Sequence, residues 1–300
     1  MIRTITKISY AQILEHHVYP TLGRIKLDKL SAAILDKRYR EMGKSGLSTR
    51  VVRYTHTIVS MMLKQAVKWS KLPRNVADAA TPPGLKTRKM QVWTPKDALQ
   101  FLEYASQDRL QAAWYLGLFA GLRRAEILGL RWQDLDLETA DLTVNQGMVV
   151  VKPHGEKSYY EFNPPKTASS VRSISLSVDT VVILKDHLKR QQLERGLCGD
   201  AWCETGLVFT TSIGTPINPG NLARSYKQLV RLAGVPDIHL HELRHTMASL
   251  AIRRGDSPKV VSERLGHSNV AFTLNTYVKT YEEQCRDAAL GIDDLSSEEE

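Results

Sequence analysis

Apolar residues in the first third of the chain recur every three or four positions, the spacing of one helical face. The segment AAILDKRYREM is predicted to be a helix capped by Ser31 and stopped at Gly43. A longer helix is predicted over STRVVRYTHTIVSMMLKQAVKW, with Ser48 as its cap. Within it Val51, Tyr54, Ile58, Met62, Ala66 and Trp69 make one stripe expected to be buried. Arg50, Arg53, Lys64 and Lys68 fall largely off that stripe, and Met61 and Met62 are expected to fill core space. Residues 78–92, DAATPPGLKTRKMQV, interrupt the periodicity with Pro-Pro-Gly and a basic run, which is a linker composition. Thr94 then starts a new helix, with Pro95 at its first position and Asp97 in its first turn.

Beyond residue 94 helical and strand patterns mix. Helical spacing runs through DALQFLEYA and LQAAWYLGLF; strand signals follow in DLTVNQGMVVV, SYYEF and RSISL, with PPKTASS turning between the last two. Helices return in VDTVVILKDHLKRQQLE, NLARSYKQLVRLA and SPKVVSERL; the last has Ser257 as cap, Pro258 after it, and Gly266 as its stop. The final residues, DDLSSEEE, form an acidic tail whose composition predicts disorder. The expected organisation is a helical domain over residues 1–80, a basic linker over 81–93, a mixed domain over 94–286 and an acidic tail over 287–300. The fold class is mainly α with a small β-sheet.

Charge sharpens this division. The whole chain of 300 residues carries a formal +9. Residues 1–92 hold 18 Lys and Arg against 5 Asp and Glu, whereas residues 93–300 hold 23 against 27. Positive charge concentrated in one third of a chain is a footprint for a polyanion such as nucleic acid. There is no apolar run of 18 residues, and the basic N-terminus has no apolar stretch behind it, which argues against a membrane span or a secretory signal. The cysteines, Cys198, Cys203 and Cys285, are too few and too irregularly spaced for a disulfide framework, so free thiols in a cytoplasm are expected.

The candidate chemistry centres on residues 241–245, HELRH. As H-E-x-x-H on a helix it matches a zinc-protease signature, with two imidazoles on one face and a carboxylate as base. That chemistry needs a third ligand, and Asp256 and Glu263 stand at no obvious helical offset. As H-x-x-R the same residues put His241 and Arg244 on one face, an arrangement suited to a phosphate. Upstream, GLFAGLRRAEILGLRWQDLDL has Gly121 ending one helix and Arg123 starting the next, with Glu126 placed to hold the arginine or the helix N-terminus. Downstream, LGHSNVAFTLNTYVKT places His267 after a helix end and Tyr277 ten residues later.

Taken together, these boxes resemble the tyrosine recombinases, or phage integrases. Arg123 and Glu126 match the family's G-L-R-x-x-E box, with Gly121-Leu122 distinguishing Arg123 from Arg124. His241 to His245 match H-x-L-R-H, Leu265-Gly266-His267 match L-G-H, Tyr277 matches the terminal tyrosine, and Lys166 in PKTASSVR matches the lysine of a β-hairpin string. The first third is similar to the family's core-binding domain at His17, Pro20, Leu22 and Gly23. The resemblance implies a C-shaped DNA clamp made of a core-binding domain and a mixed α/β catalytic domain. It implies transesterification at a DNA phosphodiester through a 3′-phosphotyrosine. In that scheme Tyr277 is the nucleophile, His241 its base and Lys166 the general acid, while Arg123, Arg244 and His267 bind the non-bridging oxygens. Glu126 and His245 have supporting roles, and Glu242 is incidental. No metal or other cofactor is expected, because the arginines supply the positive charge. The implied partners are double-stranded DNA with inverted-repeat core sites and three further copies of the chain, forming a homotetramer on two DNA sites. The implied location is a prokaryotic or phage-infected cytoplasm, at the nucleoid. Residues 1–8 are too few for the arm-binding domain of larger integrases, so that domain is expected either to be lacking in this member or to have been cut from the sequence. A type IB topoisomerase, which uses similar chemistry on one duplex, is the alternative. A DNA-binding protein without catalysis would require decayed boxes.

Overall fold

Helix caps and apolar spacing build the N-terminal region of the computed structural model, which describes residues 2–85, 91–165 and 171–266 together with Val270 and Thr273. The chain divides into two compact units, Met1–Lys89 with Val151–Ser158 and Met90–Val150 with Tyr159–Glu300. In the first unit α1 (Thr4–Ile13) runs through a π turn (Leu14–Val18) into α2 (Tyr19–Leu22), followed by α3 (Ala32–Lys44) and α4 (Thr49–Lys68). The Ser48 hydroxyl accepts the Val51 N–H at 3.4 Å and so caps α4. Ser31 occupies the N-cap position of α3, but its side chain makes no cap hydrogen bond.

Two expectations need correction here. Helix α3 passes through Gly43, and the stop lies at Gly46 (φ +86°). There the Gly46 N–H donates to Gly43 and the Leu47 N–H to Met42, the double closure of a Schellman motif. The buried face of α4 keeps Ile58 and Ala66 of the expected stripe but is otherwise displaced from it. Val52, Thr55, Ile58, Val59, Leu63 and Ala66 are buried, whereas Tyr54, Met61, Met62 and Trp69 are exposed. Both sets have helical spacing. Val52, Val59, Leu63 and Ala66 join one core with Leu35, Tyr39 and Met42 of α3, and the larger side chains are left outside. Thr55 is tolerated in this core because its hydroxyl donates to the Val51 carbonyl at 3.0 Å.

The second unit opens with α5 (Pro95–Ala105), α6 (Gln111–Phe119) and α7 (Arg124–Gly129). Thr94 and Asp97 close a reciprocal capping box on α5, as the spacing predicts. Strands β1 (Leu135–Asp136), β2 (Asp141–Val144), β3 (Gly147–Val151), β4 (Tyr159–Asn163) and β5 (Arg172–Ser175) follow. An antiparallel sheet has the order β1-β2-β5, with Leu142 opposite Ile174 and Val144 opposite Arg172; β3 and β4 pair separately. The apolar run DLTVNQGMVVV is therefore two strands in two sheets, parted at Asn145 and Gln146. Their amides bond Asp134 at 2.9 Å and the Gly129 carbonyl at 2.8 Å. Helices α8 (Val178–Cys198), α9 (Pro219–Ala233), α10 (Glu242–Arg254) and α11 (Pro258–Leu265) complete the unit.

Its core is centred on Trp93, Phe101, Trp114 and Tyr226, whose rings pack 4.8 to 6.2 Å apart. Leu243 joins this core, whereas Met247, Ala248 and Ile252 of α10 pack with Val261 and Leu265 of α11 in a second cluster. Leu243 and Met247, one turn apart on the same face of α10, thus join the helix to both apolar clusters. The fold is mainly helical with small antiparallel sheets, as the residue pattern predicts. Among the described residues no helix is long and apolar enough to cross a membrane.

Candidate active site

The turn after α6 sets up the site. Gly121 adopts φ +64°, and a Cβ there would stand 2.4 Å from Met247 Cε and 2.9 Å from Leu265 Cδ2. A glycine meets both the backbone and the packing demand. Two residues on, Arg123 is the N-cap of α7. Glu126 accepts its backbone N–H at 2.9 Å and its Nη1 at 2.7 Å. The carboxylate thus satisfies a helix terminus and orients a guanidinium at once.

Glu126 is buried, and Arg172 at the start of β5 reaches it from the other side at 2.9 and 3.2 Å. Burial pushes the Glu126 pKa up. The hydrogen bonds and charge of Arg172, then those of Arg123, outweigh it and hold the carboxyl below its ordinary value.

From the HELRH segment, Arg244 enters the same region. It is 1% exposed, donating Nη1 to the Gly121 carbonyl at 2.7 Å and Nη2 to the Leu265 carbonyl. Arg172 donates Nε to the Arg264 carbonyl at 2.8 Å, and Arg123 reaches the Gly266 carbonyl at 3.5 Å. Three guanidiniums therefore end on the successive carbonyls of residues 264–266. Those carbonyls close α11, and a helix C-terminus carries the partial negative charge that attracts cations. The two arginines expected to act alike differ in exposure: the Arg123 side chain is 36% exposed, whereas Arg244 is sealed.

His241 occupies the N-cap position of α10 without a side-chain cap bond, and its ring meets that of His245 edge-on at 5.3 Å. His241 is exposed. Protein crowding the ring, then the charges of Arg244 and Arg123, hold its pKa below the usual imidazole value. His245 is half-buried; desolvation first, then His241 and Arg244, lower its pKa to about 4. Both rings are therefore neutral at neutral pH, and His241 is able to accept a proton. Glu242 accepts the His239 N–H and so closes the turn before α10. Asp256, weighed as a third zinc ligand, pairs with Arg254 at 2.6 Å. Among the described residues no three His, Cys, Asp or Glu side chains group as a metal site.

The phage integrase family model matches residues 91–284, nearly two thirds of the chain. The chain belongs to the phage integrase family. A tyrosine recombinase XerC-like protein of Caldanaerobacter subterraneus is 28% identical over 284 residues, covering 90% of this chain and 73% of that one. The integrase of transposon Tn1549, solved with transposon right-end DNA, superposes with a TM-score of 0.80 at 20% identity, covering 96% of this chain and 95% of that one. A lambda integrase tetramer solved on a Holliday junction gives 0.65 at 16% identity, over 92% of this chain and 72% of that one.

Within this family member, the predicted residues Arg123, Glu126, His241, Arg244 and His245 gather at one place. Lys166, His267, Tyr277 and the 287–300 tail lie outside the described residues. Arg172 was not singled out by the sequence pattern. Its one signal is its position at the end of the string PKTASSVR; nothing in the chain order marks it as a partner of Glu126, 46 residues away.

Proposed function

We propose that this site holds a DNA phosphodiester and exchanges it for a phosphotyrosine. The chain is a tyrosine-type site-specific recombinase, and its activity is site-specific DNA recombination. The observation that carries the residue assignments is the convergence of Arg123 and Arg244 on the end of α11, directly before His267. A phosphodiester under attack gathers negative charge on its non-bridging oxygens, and fixed guanidiniums stabilise that charge without any reorganisation. Arg123 offers the exposed guanidinium and Arg244 the buried second charge.

In this scheme Tyr277 attacks phosphorus, its proton passes to neutral His241, and a 3′-phosphotyrosyl bond forms as the bond to the 5′-oxygen breaks. Lys166 protonates that departing oxygen, and His267 donates to a non-bridging oxygen. Attack by the free 5′-hydroxyl of another strand reverses the chemistry and rejoins DNA. Residues 1–80 serve as the core-site DNA-binding domain, 81–93 as a basic linker, 94–286 as the catalytic domain and 287–300 as an acidic tail. Strand exchange uses four copies on two duplexes with inverted-repeat core sites; a lambda integrase tetramer solved on a Holliday junction supports the four-copy reading. The cellular role is integration or excision of a mobile element; relatives that are integrases and recombinases disfavour the topoisomerase alternative.

Tyr277→Phe removes only the attacking oxygen. The expected result is loss of the covalent protein–DNA adduct on a nicked suicide duplex, with DNA affinity held within a few-fold. An SDS-stable adduct from the variant would refute Tyr277 as nucleophile and direct attention to Tyr281.

A further inference from the structure

Glu126 sits between two arginines, and both of its oxygens are shared. Oε1 accepts from Arg123 Nη1 at 2.7 Å and from Arg172 Nη1 at 3.2 Å. Oε2 accepts the Arg123 backbone N–H at 2.9 Å and Arg172 Nη2 at 2.9 Å. Arg172 is 8% exposed and is held by more than this pair, because its Nε binds the Arg264 carbonyl at 2.8 Å. Its side chain also lies against Gly266: a Cβ there would stand 3.0 Å from Arg172 Cδ and 3.2 Å from its Nη1. One buried guanidinium therefore ties together β5, the first turn of α7 and the last turn of α11.

This sharing has a consequence for Arg123. Arginine and a carboxylate favour a two-point fork in which both terminal nitrogens engage both oxygens. Arg172 already makes that fork with Glu126, so Arg123 is left with a single side-chain contact to the same carboxylate. The outer part of its guanidinium stays exposed. With Arg172 gone, Glu126 would be a buried carboxylate with one cation, and Arg123 would fold onto both oxygens to compensate it. The guanidinium would then turn inward.

We propose that Arg172 is a positioning residue for DNA cleavage, occupying Glu126 so that Arg123 keeps its exposed face for the scissile phosphate. The proposal rests on the reading of Arg123 as a phosphate ligand. Arg172 itself touches no substrate in this scheme; it acts through Glu126 and Arg123.

The test uses the full chain and a nicked suicide duplex carrying a site that the protein selects from a random-sequence library. The scissile position holds either a phosphate or a methylphosphonate, in which a methyl group replaces one charged oxygen. Single-turnover cleavage is measured for Arg123→Ala, Arg172→Met, Arg172→Lys and the Arg123→Ala/Arg172→Met double variant. On the phosphate, Arg123→Ala is expected to lose at least about 10²-fold, the scale of one lost transition-state donor. Arg172→Met should lose about 10-fold or more by the same route, and the double variant should be no slower than Arg123→Ala alone. On the methylphosphonate, whose charge no longer needs neutralising, the Arg123 and Arg172 defects should shrink together. Arg172→Lys keeps the charge but cannot make the fork, so it should show the same substrate dependence at smaller size and stands in if the methionine variant does not fold.

An Arg172 defect equal on both substrates, or one that multiplies with Arg123→Ala, would mean a purely structural residue and would overturn the proposal, as would wild-type cleavage by Arg172→Lys. If Arg123→Ala itself gains nothing from the methylphosphonate, the phosphate reading of Arg123 falls and takes this proposal with it. If Arg123→Ala is relieved and the Arg172 variants are not, only the role of Arg172 falls.

Discussion

His241 and His245, four residues apart on one helix, share a crowded cationic corner, and their titration follows from it. Desolvation and the neighbouring guanidiniums favour the neutral imidazole, and for His245 the pKa falls to about 4. The unfolded chain takes up the proton near pH 6.5. Between that pH and about 4 the unfolded state therefore binds more protons at His245 than the folded state, and stability falls as the pH falls. The urea midpoint should drop between pH 7 and pH 5, and His245→Gln should lessen that drop while leaving the midpoint at pH 7.5 less affected. An unchanged slope in the variant would show that folding does not lower the His245 pKa. His17, His56, His187 and His241 also have lowered values and add to the same slope. The residue types at this site were legible in the chain: Arg123 and Glu126 by their spacing, His241 and Arg244 by the pentad. Their unequal burial was not, because exposure depends on what α11 brings against them.

Helix ends and tight turns carry the next level. Caps at Ser48, Thr94 and Ser257 follow from local chemistry and appear where the sequence puts them. The glycine of the turn before α7 is a harsher constraint, since φ is +64° and the space beside it is already filled. Gly121→Ala should cost about 2–4 kcal/mol, combining a left-handed backbone penalty with overpacking against Met247 and Leu265. Gly155→Ala, also at positive φ but with no atom within 4 Å of its would-be Cβ, should cost about 1–2 kcal/mol from the backbone alone. Equal losses from the two variants, measured by urea unfolding, would contradict the packing argument. The face of α4 shows the converse. Two overlapping sets of apolar residues share helical spacing on that helix, so periodicity alone could not choose between them. Contact with Leu35, Tyr39 and Met42 of α3 chose the set containing Val52, Val59 and Leu63.

Across the whole molecule, positive charge is weighted to residues 1–92. On α4 the side chains of Arg50, Lys64 and Lys68 are exposed. Affinity for a duplex should therefore fall steeply with salt, and Lys64→Ala should weaken binding to all sequences alike, reducing the log–log salt slope by about one if it contacts a phosphate. A variant that binds with an unaltered slope would remove Lys64 from the DNA surface. The order of the boxes, the mainly helical fold, the caps and the uneven charge are all readable along the chain. Each of these depends on residues near one another in the chain, where spacing and residue type carry the physics. Which face of α4 is buried, which arginine stays exposed, and the sharing of Glu126 by Arg172 and Arg123 emerge only in the folded chain. Those outcomes depend on groups brought together from distant segments: Glu126 meets Arg172 across 46 residues and Arg244 meets Gly121 across 123. At such separations no local periodicity names the partner; the packing of α10 and α11 on α6 and β5 does.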